Sequence, residues 1–589
     1  MTNPCYTVVT FAPIQDFIEK SRKLRDLYGS SYILSFLSWG ICQAANTEEN
    51  CSVISPARIN VTQGLPNLII ISGNFSQEKA KAAFSQGWEL IVKSCYQWII
   101  NNVEGWEYQY WQRDWKLWTH YAWEFFWAQN ETKTEELDPK QCLDEALDTL
   151  FKRKPNRQWT AINWQGESST LSGSDSIAYP NLGKMGDTRN YSYEIEKETI
   201  RQFYEQLSQK LGESFVEAIP SLSQKLAQLG EEDKQAKIKE YGASFIDPRE
   251  QLSIPELIKR LITHKVIVKD LIENLPEQLE NSSKEDLLQI AEDLDPHSFS
   301  ELNRHQEIFK TGWFLGDGDN VSNYLKNKEE QEKTEFSKLM REWGLNLQRN
   351  PQKYLPSGRI IYAGGDDFLG IIYDANSKQE HREPRQISGQ EYLEFFSHFK
   401  TRVWNQNQYK PITPSVGFVW ASSQVPQRDI LQHCRETEQS AKKNGKDRLA
   451  IRLLFNNGNT LQWICPWWLL EEQLFQKYRD RDQGQNWNHF YRDVITLESR
   501  HAFTKQPMKL ALALINIYFG TPIQELLENR NKWWNYQHQD DILPFSGIFG
   551  EQEKFLENNQ TFNQQKFEQV FTQWVINLAK IGFYLNRKS

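Results

Sequence analysis

The chain has 589 residues, 25% of them charged, and a formal net charge of −9. At roughly 100–200 residues per domain this length holds several packed units, and the acidic balance argues against broad coating by nucleic acid while leaving room for a local RNA groove. No apolar stretch reaches membrane-span length, the N-terminus lacks the regions of a signal peptide, and seven scattered cysteines fit a reducing cytosol, so a cytoplasmic protein without a membrane partner is expected.

Residues 5–35 predict a strand, a turn at Pro13, a helix start, and a break at Gly29-Ser30 before a second helical stretch. Leu65-Pro66-Asn67 leads into an apolar strand over 68–72. Trp106, Trp111, Trp115, Trp118, Trp123 and Trp127 follow mostly at spacings of three and four, the repeat of one helical face. Helix packing or a subunit interface is the ordinary meaning of such a stripe; stacking on nucleic-acid bases is the sharper one. Residues 131–300 are mixed: a Ser/Gly-rich loop near 168–190, then charged helical stretches around 194–240 and 254–296 broken by prolines.

At 313–325 a short apolar strand runs into Asp317-Gly318-Asp319, and a helix start is expected at Asn320 or Ser322. A charged helix is expected over 326–347. Residues 361–372 then read Ile-Tyr-Ala-Gly-Gly-Asp-Asp-Phe-Leu-Gly-Ile-Ile, two apolar runs around a glycine pair, the pattern of a hairpin with Gly364 and Gly365 in its turn. Asp366 and Asp367 at the tip of such a ribbon repel each other unless a cation lies between them, and hard oxygen ligands of this kind suit Mg²⁺ carrying a nucleotide's phosphates. The 49 residues separating Asp317 from Asp366 (366 minus 317) fit a β-α-β unit that brings all three acids to one or two metals. A plain solvent turn and a helix cap share this composition.

A strand is expected at 414–419, containing Ser415, then a helix over 429–446 stopped by Gly445, then a strand at 449–454. Lys442 and Lys446 stand where flexible point charges meet a triphosphate, although lysines in a last helical turn also compensate the helix dipole. From about 470 onward the pattern is helical, with an apolar segment at 508–518 ended by Gly520.

In this order the segments resemble the palm domain shared by nucleotidyl cyclases and some polymerases. Ala441-Lys442-x-x-Gly445-Lys446-Asp447 is similar to the Ala-Lys-x-x-Gly-Arg-Asn segment of diguanylate cyclases, and Gly364-Gly365-Asp366-Asp367-Phe368 to their Gly-Gly-Asp/Glu-Glu-Phe loop. The N-terminal run Ala12-Pro13-Ile14-Gln15-Asp16-Phe17-Ile18, with Arg25-Asp26-Leu27 and Gly29-Ser30, resembles the segment opening the first palm of the large subunit of type III CRISPR effector complexes, Cmr type. The resemblance covers roughly 5–75 and 300–460 with specific motifs.

It implies an α+β chain with two ferredoxin-like palms: a first, degenerate palm at 1–130, a mixed, largely helical linking domain at 131–300, a second palm with the active site at 301–465, and a helical C-terminal domain at 466–589. It implies Asp317, Asp366 and Asp367 as catalytic metal ligands, with Gly318 lending a carbonyl. Gly364, Gly365, Ser415, Lys442 and Lys446 would shape the nucleotide pocket. Mg²⁺ or Mn²⁺ would be the metal and ATP the substrate, and the product a cyclic oligoadenylate made when CRISPR RNA, held with other Cmr-type subunits, pairs with target RNA. The first palm reads as degenerate because 69–74 (Ile-Ile-Ile-Ser-Gly-Asn) carries no carboxylate where an active palm needs one.

Two departures from relatives shape further expectations. None of the ten histidines precedes an Asp, so the His-Asp nuclease activity of many relatives is not expected, and no Cys-x-x-Cys pair is present, so no structural zinc is expected. The rival readings are a stand-alone diguanylate-type cyclase and a catalytically silent scaffold subunit of the same complex.

Overall fold

The computed structural model describes residues 5–56, 67–130, 138–155, 162, 164, 166–184, 192–275, 309–326, 328–374, 385–406, 410–422, 425–537, 543–557 and 561–587. By contacts the chain divides into two compact units, 1–304 with 326–342 and 305–325 with 343–589.

The first unit carries strands β1 (Tyr6–Ala12), β2 (Ser52–Ser55), β3 (Ile69–Ser72) and β4 (Glu124–Gln129) in the order β2-β3-β1-β4, with every neighbour antiparallel. The helices Leu24–Asn46 and Gln77–Asn102 are the two crossovers, giving a β-α-β-β-α-β chain order. β1 is one of the two central strands, and six of its seven residues are buried, as its apolar run demands. One hydrophobic core runs from Val9 through these helices to Leu275, so the helices Tyr193–Glu217, Ile254–Leu261 and Lys265–Glu273 share it with the sheet.

Three expectations change in this unit. The helix Leu24–Asn46 passes through Gly29-Ser30 without a break, and the chain interrupts itself at 20–23 instead. Gly29 is there for close approach: a Cβ on it would stand 1.9 Å from the carbonyl oxygen of Lys259 in the helix Ile254–Leu261. Arg260 Nε donates to Asp26 Oδ1 at 2.5 Å across the same contact, so the Arg-Asp-Leu segment staples two helices together. The tryptophan stripe is not one helix, since 106–127 folds as a 3₁₀ turn, the helix Gln112–Tyr121 and β4. Its side chains are nonetheless core: Trp111 and Trp115 are buried, and Trp123 meets Trp88 edge-on at 5.5 Å. Finally, residues 69–72 form β3 itself, and the turn matching an active palm's acid turn is the β2–β3 connection. Residues 57–66 of that connection lie outside the described residues; the sequence from 56 to 68 contains no Asp or Glu.

The second unit holds β5 (Lys310–Gly318), β6 (Arg359–Gly364), β7 (Asp367–Ile372), β8 (Pro414–Ser422), β9 (Arg448–Leu454) and β10 (Thr460–Pro466), ordered β10-β9-β8-β5-β7-β6. Strands β8-β5-β7-β6 repeat the order β4-β1-β3-β2 of the first sheet, so the chain contains two palm-type α+β sheets. The crossover helix Gln427–Lys443 returns the chain parallel from β8 to β9, and Gly417 lets it lie close, since a Cβ there would meet Glu438 N at 2.3 Å. Phe314, Phe368, Phe399 and Trp404 pack beneath the sheet. The last helix, Gln564–Asn586, is tied to β10 by Trp574 Nε1, which donates to Ile464 O at 2.7 Å.

Candidate active site

β5 lies between β7 and β8, and its register pairs Gly316 with Phe368 of β7 and Asp317 with Ser415 of β8. One further step of the β5–β7 register sets Asp317 opposite Asp367. On the other side of β7, Gly364 pairs with Asp367, leaving Gly365-Asp366 as a two-residue turn. Gly365 has φ +65°, and a glycine at the first of two turn positions is what the type II′ hairpin needs. Gly318 has a steric part as well, because a Cβ on it would stand 2.8 Å from the Cβ of Asp366.

Asp317 thus stands near enough to Asp366 and Asp367 for its charge to act on both. Burial, then the Asp317 charge, pushes the Asp366 carboxyl up to about 7. Asp367, at the exposed first position of β7, has its carboxyl pushed upward by the charges of Asp317 and Asp366 beside it. Such crowding is costly without a cation.

The cation present is an ammonium. Lys442, in the last turn of the helix Gln427–Lys443, donates to Asp317 Oδ2 and reaches Glu438 Oε1 at 2.8 Å. Burial works against its charge, but Asp317 and Glu438 hold it well above the ordinary lysine range. Lys446 lies beyond the helix at φ +61°, and its ammonium donates to Asn320 Oδ1.

Ser415 has a different part from the one expected. It is buried, and its hydroxyl donates to Asp319 Oδ1 at 2.7 Å, so it braces a carboxylate instead of lining an open pocket. Asp319 is itself buried; its Oδ2 accepts from Thr413 Oγ1 at 2.8 Å and from the Asp447 backbone N–H at 2.9 Å. The Asp447 carboxylate in turn holds Lys400 Nζ at 2.7 Å. Asp319, Thr413, Asp447, Lys400 and Glu438 were missed from sequence. Asp319 and Asp447 stand inside the quoted motifs, but nothing in their spacing separates a brace from a ligand.

The donor set fits a hard divalent cation: two or three carboxylates, the Gly318 carbonyl, and an ammonium already standing in for positive charge. Among the described residues, one group with three metal-capable atoms mutually within 4.8 Å is Asp480, Asp482 and His489; the palm trio is not drawn in this closely. The Asp480 group is accounted for by its own hydrogen bonds, with Asp480 accepting from the His489 backbone at 3.1 Å at the head of the helix Asn488–Ser499 and pairing with His489 Nδ1 at 2.8 Å.

A 4-1-3-2 sheet with acids on its two central strands, a II′-type acid turn and lysines in and just past the last turn of the helix Gln427–Lys443 define the palm class to which nucleotidyl cyclases and polymerases belong. Compared with protein families, residues 310–450 match the second palm domain of Cas10/Cmr2, and residues 6–97 match the N-terminal part of the CRISPR-associated protein Cmr2. Both matched segments are thus similar to parts of the Cas10/Cmr2 large subunits. No curated protein matches it. Among solved structures it is similar to a type III-B Cmr-beta complex bound to cognate target RNA (TM-score 0.50, 11% identity, covering 100% of this chain and 83% of that one). It is also similar to the apo state of type III-B Cmr-beta (0.49, 11%, 99% and 82%) and to a Csm1–Csm4 cassette in complex with cA4 (0.43, 12%, 99% and 70%). The first likeness is one of fold.

Proposed function

We propose that this chain is the large subunit of a type III CRISPR ribonucleoprotein, holding CRISPR RNA together with other Cmr-type subunits, and that it makes cyclic oligoadenylates from ATP when target RNA binds. The observation that carries this reading is the convergence of Asp317, Asp366 and Asp367 at the shared end of β5 and β7, with Lys442 on Asp317 and Lys446 alongside. A silent scaffold has no need to keep three mutually repelling acids and two poised ammonium groups.

The reaction is attack of a ribose hydroxyl on an α-phosphate, with pyrophosphate leaving. Asp317, Asp366 and Asp367, with the Gly318 carbonyl, would hold Mg²⁺ or Mn²⁺. When bound, the cation neutralises developing phosphate charge and makes the attacking hydroxyl more acidic. Lys442, which holds Asp317 here, would turn to a phosphate oxygen of the nucleotide. Lys446 exchanges Asn320 for the triphosphate. Asp319, held by Ser415, Thr413 and the Asp447 N–H, keeps the end of β5 and the lysine loop at fixed separation.

The test is the double variant D366A/D367A in the assembled complex. Synthesis should fall to background while assembly and target binding stay intact, and the metal-free protein should melt no lower, because two like charges are gone. Equal loss of assembly would make the acids structural and contradict the assignment.

A further inference from the structure

The loop that carries Lys446 is held in a conformation its own residues disfavour. Gly445, Lys446 and Asp447 have φ of +124°, +61° and +49° in succession, and two of the three bear a Cβ. Part of what holds them comes from 90 to 100 positions further on. Ser546 Oγ donates to the Lys446 carbonyl at 2.8 Å, and Asn535 Nδ2 donates to the Gly445 carbonyl at 3.2 Å. Arg448, fully buried, closes the clasp: its Nε donates to Lys446 O at 2.9 Å and its Nη2 to Ser546 Oγ at 2.7 Å and Gly547 O at 2.9 Å. The fit is tight enough that a Cβ on Gly550 would stand 2.1 Å from Asn444 O. Asn535 also takes the Gly547 N–H at 2.9 Å, so the clasp is itself preorganised.

We propose that Ser546, Asn535 and Arg448 are positioning residues for nucleotide binding, setting where the Lys446 ammonium stands, so that Asn535 and the turn at Ser546-Gly547 are part of the palm's site. The proposal rests on the reading that Lys446 meets a phosphate of the nucleotide. The backbone of Lys446 fixes the direction of its side chain. Released from the clasp, the left-handed run relaxes and carries the ammonium away from Asn320 and the site.

The experiment is a double-mutant cycle on the full chain, reading the Kd for ATP with Mg²⁺ by calorimetry and the thermal midpoint of each variant. S546A and N535A should each weaken ATP binding about fivefold, the effect of one lost hydrogen bond. K446A should weaken it more, and S546A should add nothing in the K446A background. The proposal is overturned if S546A weakens ATP equally with and without Lys446, or if S546A and N535A leave ATP affinity at wild-type level while K446A lowers it. If K446A itself leaves affinity unchanged, the phosphate reading of Lys446 fails, and the positioning role falls with it. Having two clasp variants guards against one that does not fold.

Discussion

The Lys442 ammonium is shared between Asp317 and Glu438, one helical turn apart from it on one side and across the sheet end on the other. A lysine so placed would compete with a cation for Asp317, and on the proposed reading it would be free to meet a phosphate once displaced.

The substitution K442M should separate these two parts. Without nucleotide, Mn²⁺ affinity measured by electron paramagnetic resonance should rise several-fold, because a competing charge is removed. ATP affinity in saturating Mg²⁺ should fall about tenfold, the size of one charge-assisted contact. A fall in Mn²⁺ affinity would mean that Lys442 supports the carboxylates instead of competing for them.

In the first unit, G29A places a methyl 1.9 Å from the Lys259 carbonyl, where only backbone can yield. Overpacking of this kind costs about 1–3 kcal/mol or more, and calorimetry should show an early-melting first unit. An unchanged midpoint would show that the two helices slide apart freely.

How much was legible follows from these residues. The hairpin itself could be placed because Gly-Gly and its apolar flanks are local signals, but its turn falls one residue later than expected: Gly364 ends β6, Asp367 opens β7, and Gly365-Asp366 make the turn. Gly29 was misread because a glycine in an apolar run marks either a break or a close approach, and its partner Lys259 lies 230 positions away (259 minus 29). Ser415 was assigned to the pocket because a hydroxyl beside an acid site looks the same whether it meets a ligand or a buried carboxylate. The clasp on Lys446 has no sequence signal at all, since Ser546 is 100 positions distant and belongs to a loop with no motif.

The tryptophans offer a direct test of packing against nucleic-acid stacking. Trp115 is buried in the core with Trp111 and Tyr96. W115A should cost about 3–5 kcal/mol of stability and, below its melting range, leave RNA affinity unchanged. A stable W115A variant with weakened RNA binding would favour stacking.

Acid sensitivity should report His264, buried among Trp98, Phe215 and Phe245 with Nε2 against Leu211 O at 3.1 Å. Burial, foremost, lowers it to about 3 from the ordinary 6.5. The unfolded chain therefore binds one more proton than the folded one between these values, and stability rises with pH through that window, by up to about 1.4 kcal/mol per pH unit. H264L should flatten the acid limb between pH 6.5 and 3 in urea titrations; a limb of unchanged slope would show that His264 titrates normally in the fold.

The measurement that bears most directly on the function is incubation of the assembled complex with ATP, Mg²⁺ or Mn²⁺, and matched or mismatched target RNA, with products read by mass spectrometry. Cyclic or linear oligoadenylates should form with matched target and disappear in D366A/D367A. No product from an intact, target-bound complex would contradict the synthetase reading and leave the chain a scaffold.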